Sequence, residues 1–177
     1  AEDHLTTSDL GALAAEKAIA DADIDPETLD YIILAHNFGD VKSGTIQSDI
    51  LPCLAARVKN SLKIKNPKCV AYDILFGCPG WIEGVIQAQA FIRAGMAKRC
   101  LVIGAETLSR VVDPHDRDSM IYSDGAGATI IETTEDDGGI LSHESTSYTL
   151  DEVYHLFFGC SNNKSYDKDT RFIKMYG

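Results

Sequence analysis

The stretch Tyr72-Asp-Ile-Leu-Phe-Gly-Cys-Pro-Gly-Trp81 decides how this chain is read. Cys69 to Leu75 is a short, mostly apolar run, the pattern of a buried strand. Gly77-Cys78-Pro79-Gly80 makes a sharp turn. Ile82, Val85, Ile86, Ala90 and Phe91 then recur at helical spacing until Gly95 ends the helix. A thiol between a strand end and a helix start gains in two ways: the helix macrodipole favours thiolate over thiol, and the free first-turn N–H groups can bind an anion. Pro79 suits the first helical position, where its missing N–H costs nothing. Gly77 and Gly80 are expected to let backbone and substrate approach the sulfur. This arrangement suits an acyl-thioester intermediate with a tetrahedral oxyanion beside it. Local sequence alone leaves a second reading of Cys78 open, as a small buried hydrophobe. An α/β-hydrolase elbow fits worse, because Phe76 stands where that pattern needs glycine.

Outward from the turn, helices and strands alternate. Thr6-Thr7-Ser8-Asp9 offers N-cap residues to a helix carrying Leu10, Leu13, Ala14 and Ala18, which Asp25-Pro26 ends. Tyr31–Ala35, Leu101–Ala105 and Gly127–Glu132 read as further strands. Gly39–Gly44 reads as a loop, and Ile46–Ser61 as a second helix through Ile46, Ile50, Leu54 and Val58. Strands separated by single helices imply an α/β fold with a mostly parallel, helix-covered sheet. The pattern changes after Asp136-Asp137-Gly138-Gly139. Ile140–Ser147 and Arg171–Tyr176 could add strands, and about 148–170 reads as an irregular excursion.

Composition narrows the function. A chain of 177 residues with 45% hydrophobic and 24% charged residues suits one globular domain. A net charge of −11 argues against nucleic-acid binding but leaves room for a phosphorylated ligand held by a few cations. No apolar run approaches the roughly 18 residues of a membrane helix, and no signal peptide opens the chain. The five cysteines lack CxxC spacing, which points to a reduced cytoplasmic protein with no disulfide framework and no metal site. Cys53, Cys69, Cys100 and Cys160 lack glycine-flanked turns and are expected to be structural. Ala1 rather than Met suggests processing or trimming.

Three segments between Val70 and Glu132 resemble, in order and spacing, the β-ketoacyl-acyl carrier protein synthase III family of thiolase-fold condensing enzymes. They are Asp73–Trp81, Leu101-Val-Ile-Gly-Ala-Glu-Thr-Leu-Ser-Arg110, and Asp113-Pro-His-Asp-Arg117 with Asp124-Gly-Ala-Gly-Ala128. The resemblance implies a thiolase-like fold, with residues 1–177 as the amino-terminal half of its duplication. Cys78 becomes the nucleophile that accepts an acyl group from acyl-CoA, its own N–H contributing to the oxyanion hole. Condensation with a decarboxylating malonyl thioester on acyl carrier protein follows, in fatty acid biosynthesis. Arg117 is placed at the CoA nucleotide, with a solvated surface cation as the alternative. Trp81 stands where Phe is usual, and Tyr122-Ser123 where Phe-Gly is usual, so either aromatic could reshape the acyl pocket, with simple core packing as the alternative for both. Asp113 and Asp124 are expected to organise turns, and Gly125–Ala128 to allow tight packing under the site.

No cofactor beyond the CoA thioester substrate is implied, and a homodimer is. The family's catalytic His and Asn are expected in a missing carboxy-terminal half. None of His4, His36, His115, His143 or His155 matches them, and His36 is expected to be a structural hydrogen-bonder. The family's opening strand is expected before Ala1. Two other readings stand beside this one: a catalytically incomplete dimerising fragment, and a related condensing enzyme such as a hydroxymethylglutaryl-CoA synthase-like protein.

Overall fold

Apolar runs buried on both faces build a three-layered unit in the computed structural model of the chain, which describes residues 1–135 and 138–176. The strands β1 (Tyr31–His36), β4 (Val70–Leu75), β5 (Arg99–Thr107) and β6 (Asp124–Glu132) form a sheet in the order β4-β1-β5-β6. The first three are parallel, and β6 runs antiparallel to β5. Because side chains alternate across a strand, Ile32 and Leu34 of β1 and Leu101 and Ile103 of β5 face one side. There they meet α1 (Thr7–Asp21) and α2 (Leu54–Ser61) through Ala12, Ala15, Leu54 and Val58. Ile33, Cys100 and Val102 face the other side and pack on α3 (Gly80–Arg93) at Ala88. The fold is thiolase-like α/β, as expected.

Local chemistry sets the helix starts. The Thr6 hydroxyl accepts from the Asp9 N–H, and the Asp9 carboxylate accepts the Thr6 N–H at 2.8 Å, a capping box. Asp73 of β4 caps α2 from across the chain, accepting the N–H groups of Leu54 and Ala55, each at 2.7 Å. Glycine lets α3 lie against the sheet: a Cβ on Gly84 would stand 2.8 Å from Val102 Cγ1.

Several expectations are corrected. The second helix begins at Leu54, not Ile46, because Pro52 removes a backbone donor and disfavours helical geometry at Leu51. Ile46 and Ile50 are exposed, and residues 40–49 instead carry the short hairpin of β2 (Asp40–Val41) and β3 (Ser48–Asp49). Ile140–Ser147 forms no strand. The segment 148–170 is not irregular throughout, since β7 (Leu156–Cys160) lies inside it and pairs antiparallel with β8 (Arg171–Met175). The polar residues around Leu156–Cys160 hid β7, whereas β8 falls on the strand expected at Arg171–Tyr176; Ile173 anchors the hairpin against Val41 and Val111. The change of pattern at Asp136-Asp137, and Gly177, lie outside the described residues.

Candidate active site

The carboxyl ends of β1, β4 and β5 converge with the start of β6, the place where open parallel sheets bind ligands. A cavity of about 350 Å³ opens there, lined among others by Asn37, Gly77, Cys78, Trp81, Glu106 and Ala126. Cys78 is exposed, so the nucleophile reading survives and the buried-core reading does not. In its turn the Gly80 N–H donates to the Gly77 carbonyl at 2.7 Å and the Glu83 N–H to the Pro79 carbonyl. Pro79 caps α3, one residue before the expected helical position. The thiol therefore sits just ahead of the 14-residue helix α3.

Of the flanking glycines, Gly80 acts differently from expectation. A Cβ on Gly80 would lie 2.8 Å from the Ala35 Cβ, so Gly80 serves helix–sheet packing rather than substrate approach. A Cβ on Gly77 would meet the Asn37 carboxamide at 3.6–3.7 Å. Gly125 and Gly127 have nothing within 4 Å of such a position and so face open space rather than tight packing, while Ala128 at the end of the run packs against the core. Trp81, by contrast, leans on the sheet over Gly104 and lines the cavity with Cys78.

Behind the thiol lies a buried polar group. His36 Nδ1 accepts the Gly39 N–H at 2.9 Å, which leaves Nε2 to donate to Asp73 Oδ2 at 3.0 Å. Both ring nitrogens are thus engaged, which fits a structural role. Burial works to raise the Asp73 pKa, but the His36 hydrogen bond and the α2 N–H groups outweigh it and hold that carboxyl below its ordinary value. Burial pushes Glu106 up, against N–H groups from Asn37 and Phe38. The Tyr122 phenol is raised by burial and then by the nearby Cys78. Sequence reading passed over Asp73 and Glu106, although a carboxylate inside or ending an apolar strand was the available signal.

Arg117 lies away from this cavity. Its side chain is 91% exposed and pairs with Asp118 at 3.8 Å. The loop that carries it is firmly held: Asp113, wholly buried, accepts from the His115 and Asn162 N–H groups, the Ser161 hydroxyl and Lys174. Asp124 likewise binds the Ser109 N–H and hydroxyl. Both aspartates organise turns, as expected. Among the described residues no cluster of three His, Cys, Asp or Glu side chains is arranged to hold a metal, and no helix is long and apolar enough to cross a membrane.

Known proteins resemble this chain in sequence and in fold. A family model described as 3-oxoacyl-[acyl-carrier-protein] synthase III matches residues 72–149. The chain is 38% identical over 141 residues to a β-ketoacyl-[acyl-carrier-protein] synthase III of Rhizobium johnstonii, covering 79% of this chain and 41% of that protein. The 3-oxoacyl-[acyl-carrier-protein] synthase III structure from Aquifex aeolicus superposes with a TM-score of 0.73 at 30% identity, over 97% of this chain and 50% of that one. Its counterpart from Pseudomonas aeruginosa gives 0.76 at 26% identity, over 97% and 49%. The chain thus spans half or less of the length of these relatives.

Proposed function

Since the chain belongs to the β-ketoacyl-acyl carrier protein synthase III family and spans part of it, we propose that it is the amino-terminal half of an acyltransferase that works through Cys78. The Cys78 thiolate attacks the carbonyl carbon of acyl-CoA. The oxyanion collapses, the carbon–sulfur bond to CoA breaks, and the CoA thiol leaves with the proton that Cys78 gave up. The acyl group then passes from Cys78 to the carbanion formed when a malonyl thioester on acyl carrier protein loses carbon dioxide, as in fatty acid biosynthesis. The observation that carries this reading is an exposed thiol in a cavity at the carboxyl ends of parallel strands, directly before α3. Trp81 bounds the acyl pocket. Arg117, solvated and free of a strong partner, is available to a CoA phosphate. A homodimer in the cytoplasm is the expected setting.

The histidine and asparagine that activate the malonyl thioester belong, in this reading, to a carboxy-terminal half. His36, the histidine at the cavity, has both nitrogens committed. Acyl transfer to Cys78 is therefore the step this chain itself supports, and condensation needs the other half. Iodoacetamide labelling of Cys78 with and without acyl-CoA tests the proposal. Protection by acyl-CoA supports it; labelling indifferent to acyl-CoA returns the chain to the reading of a dimerising fragment without chemistry.

A further inference from the structure

Among the described residues, two buried side-chain polar atoms lack a hydrogen-bond partner: Glu106 Oε2 and the Tyr122 hydroxyl. Glu106 ends the apolar run of β5, opposite Gly125 of β6, and lines the same cavity as Cys78. Its other oxygen, Oε1, accepts the Asn37 N–H at 2.5 Å. The carboxyl thus grips the chain where it leaves β1. The carboxamide of that same Asn37 stands 3.6–3.7 Å from where a Gly77 Cβ would be, against the backbone of the turn that carries the thiol. A further bond, from the Phe76 N–H to the His36 carbonyl at 3.3 Å, ties the two strand ends together one residue away on each side.

We propose that Glu106 is a positioning residue for Cys78: it fixes the end of β1 so that the Asn37 carboxamide backs the Gly77-Cys78 turn and aims the thiol into the cavity. A half-satisfied buried carboxyl costs stability, so packing alone does not account for it. The titratable groups lining the cavity with this carboxyl are His36 from β1 and Cys78 from the turn after β4; on the opposite wall the lining residues Ser123, Gly125, Ala126 and Gly127 contribute none. His36 is pinned by Asp73 and Gly39, which leaves Glu106 to hold the Asn37 side of the cavity.

The inference rests on Cys78 being the acyl acceptor, and its test separates the two claims. The purified chain is treated with S-acetyl-N-acetylcysteamine, a small thioester that needs no CoA pocket. Cys78 attacks its carbonyl carbon, and the cysteamine thiol leaves with the proton from Cys78. Alkylation of the same residue by iodoacetamide serves as the parallel reaction, since it needs access but little orientation. Glu106→Ala is expected to slow acylation about tenfold or more, as misoriented nucleophiles do, while alkylation stays within about threefold. Glu106→Gln, whose amide oxygen can still accept the Asn37 N–H, restores acylation. Asn37→Ala, at an exposed residue that keeps its backbone N–H, reproduces the slow acylation. Equal acylation in wild type, Glu106→Ala and Asn37→Ala overturns the inference. So does a parallel fall of both reactions with a lower Tm. A wild-type chain that alkylates at Cys78 but never acylates there overturns the acyl-acceptor reading, and this inference with it.

Discussion

Lys174 Nζ lies 2.6 Å from Asp113 Oδ2 and 2.7 Å from Asp116 Oδ2, with the Lys174 side chain 8% exposed and that of Asp113 fully buried. This ion cluster ties the β7–β8 hairpin to the loop that ends at Arg117. Removing one partner of a buried pair leaves an uncompensated charge, which typically costs about 3–5 kcal/mol. Lys174→Met is therefore expected to destabilise the chain by about that amount, read as a lower midpoint in urea unfolding. An unchanged midpoint would mean that the hairpin holds the loop by apolar contacts alone.

The same cluster sets a pH dependence. Burial works to raise the Asp113 pKa, but the Lys174 hydrogen bond and the N–H groups of Asn162 and His115 outweigh it and hold the carboxyl well below the usual range. A depressed carboxylate contributes stability that is complete above its unfolded value, about 3.9, and is lost as pH falls toward the folded one. Stability should thus decline from about pH 5 downward, and Lys174→Met should flatten that decline. Lys174 itself is raised, burial being outweighed by the two aspartates. Its contribution is complete below the ordinary lysine value and fades as pH climbs through the raised one. Unfolding midpoints measured from pH 2 to 6 in both proteins check the acid limb.

Arg117 separates binding from folding. With its side chain 91% exposed, Arg117→Ala should leave the unfolding midpoint within about 0.5 kcal/mol of wild type. If the guanidinium meets a CoA phosphate, the substitution weakens acyl-CoA binding by about 1–3 kcal/mol. Calorimetry on a complete enzyme containing this half reads the difference. Unchanged affinity would return Arg117 to a solvated surface role.

Much of the sheet was legible because its strands are apolar runs punctuated by glycine and proline. The Cys78 turn was legible for the same reason: Gly77 and Gly80 bracket a strand-to-helix change of period. What escaped was set by distant partners. Strand β7 (Leu156–Cys160) escaped although its partner β8 was expected as a strand, and the hairpin they form is held by Lys174 meeting Asp113, 61 residues away. Asp73 looks like a misfit in a strand until α2 arrives to be capped by it. Glu106 stood inside a quoted motif, yet only the fold brings it to Asn37 and the cavity wall. The expected second helix failed at Pro52, a signal present in the sequence but outvoted there by the spacing of Ile46, Ile50, Leu54 and Val58.

The central claim is that Cys78 is the acyl acceptor, and peptide mass mapping after incubation with acyl-CoA tests it most directly. Cys69 and Cys100 are buried, with burial pushing both thiols up, Cys100 to about 12, so neither should compete. Cys160 is exposed but lies on β7, away from the cavity. The account predicts one acyl mass increment, on the peptide containing Cys78, that disappears in Cys78→Ser. An increment on Cys53, Cys69, Cys100 or Cys160 with Cys78 unmodified would contradict it.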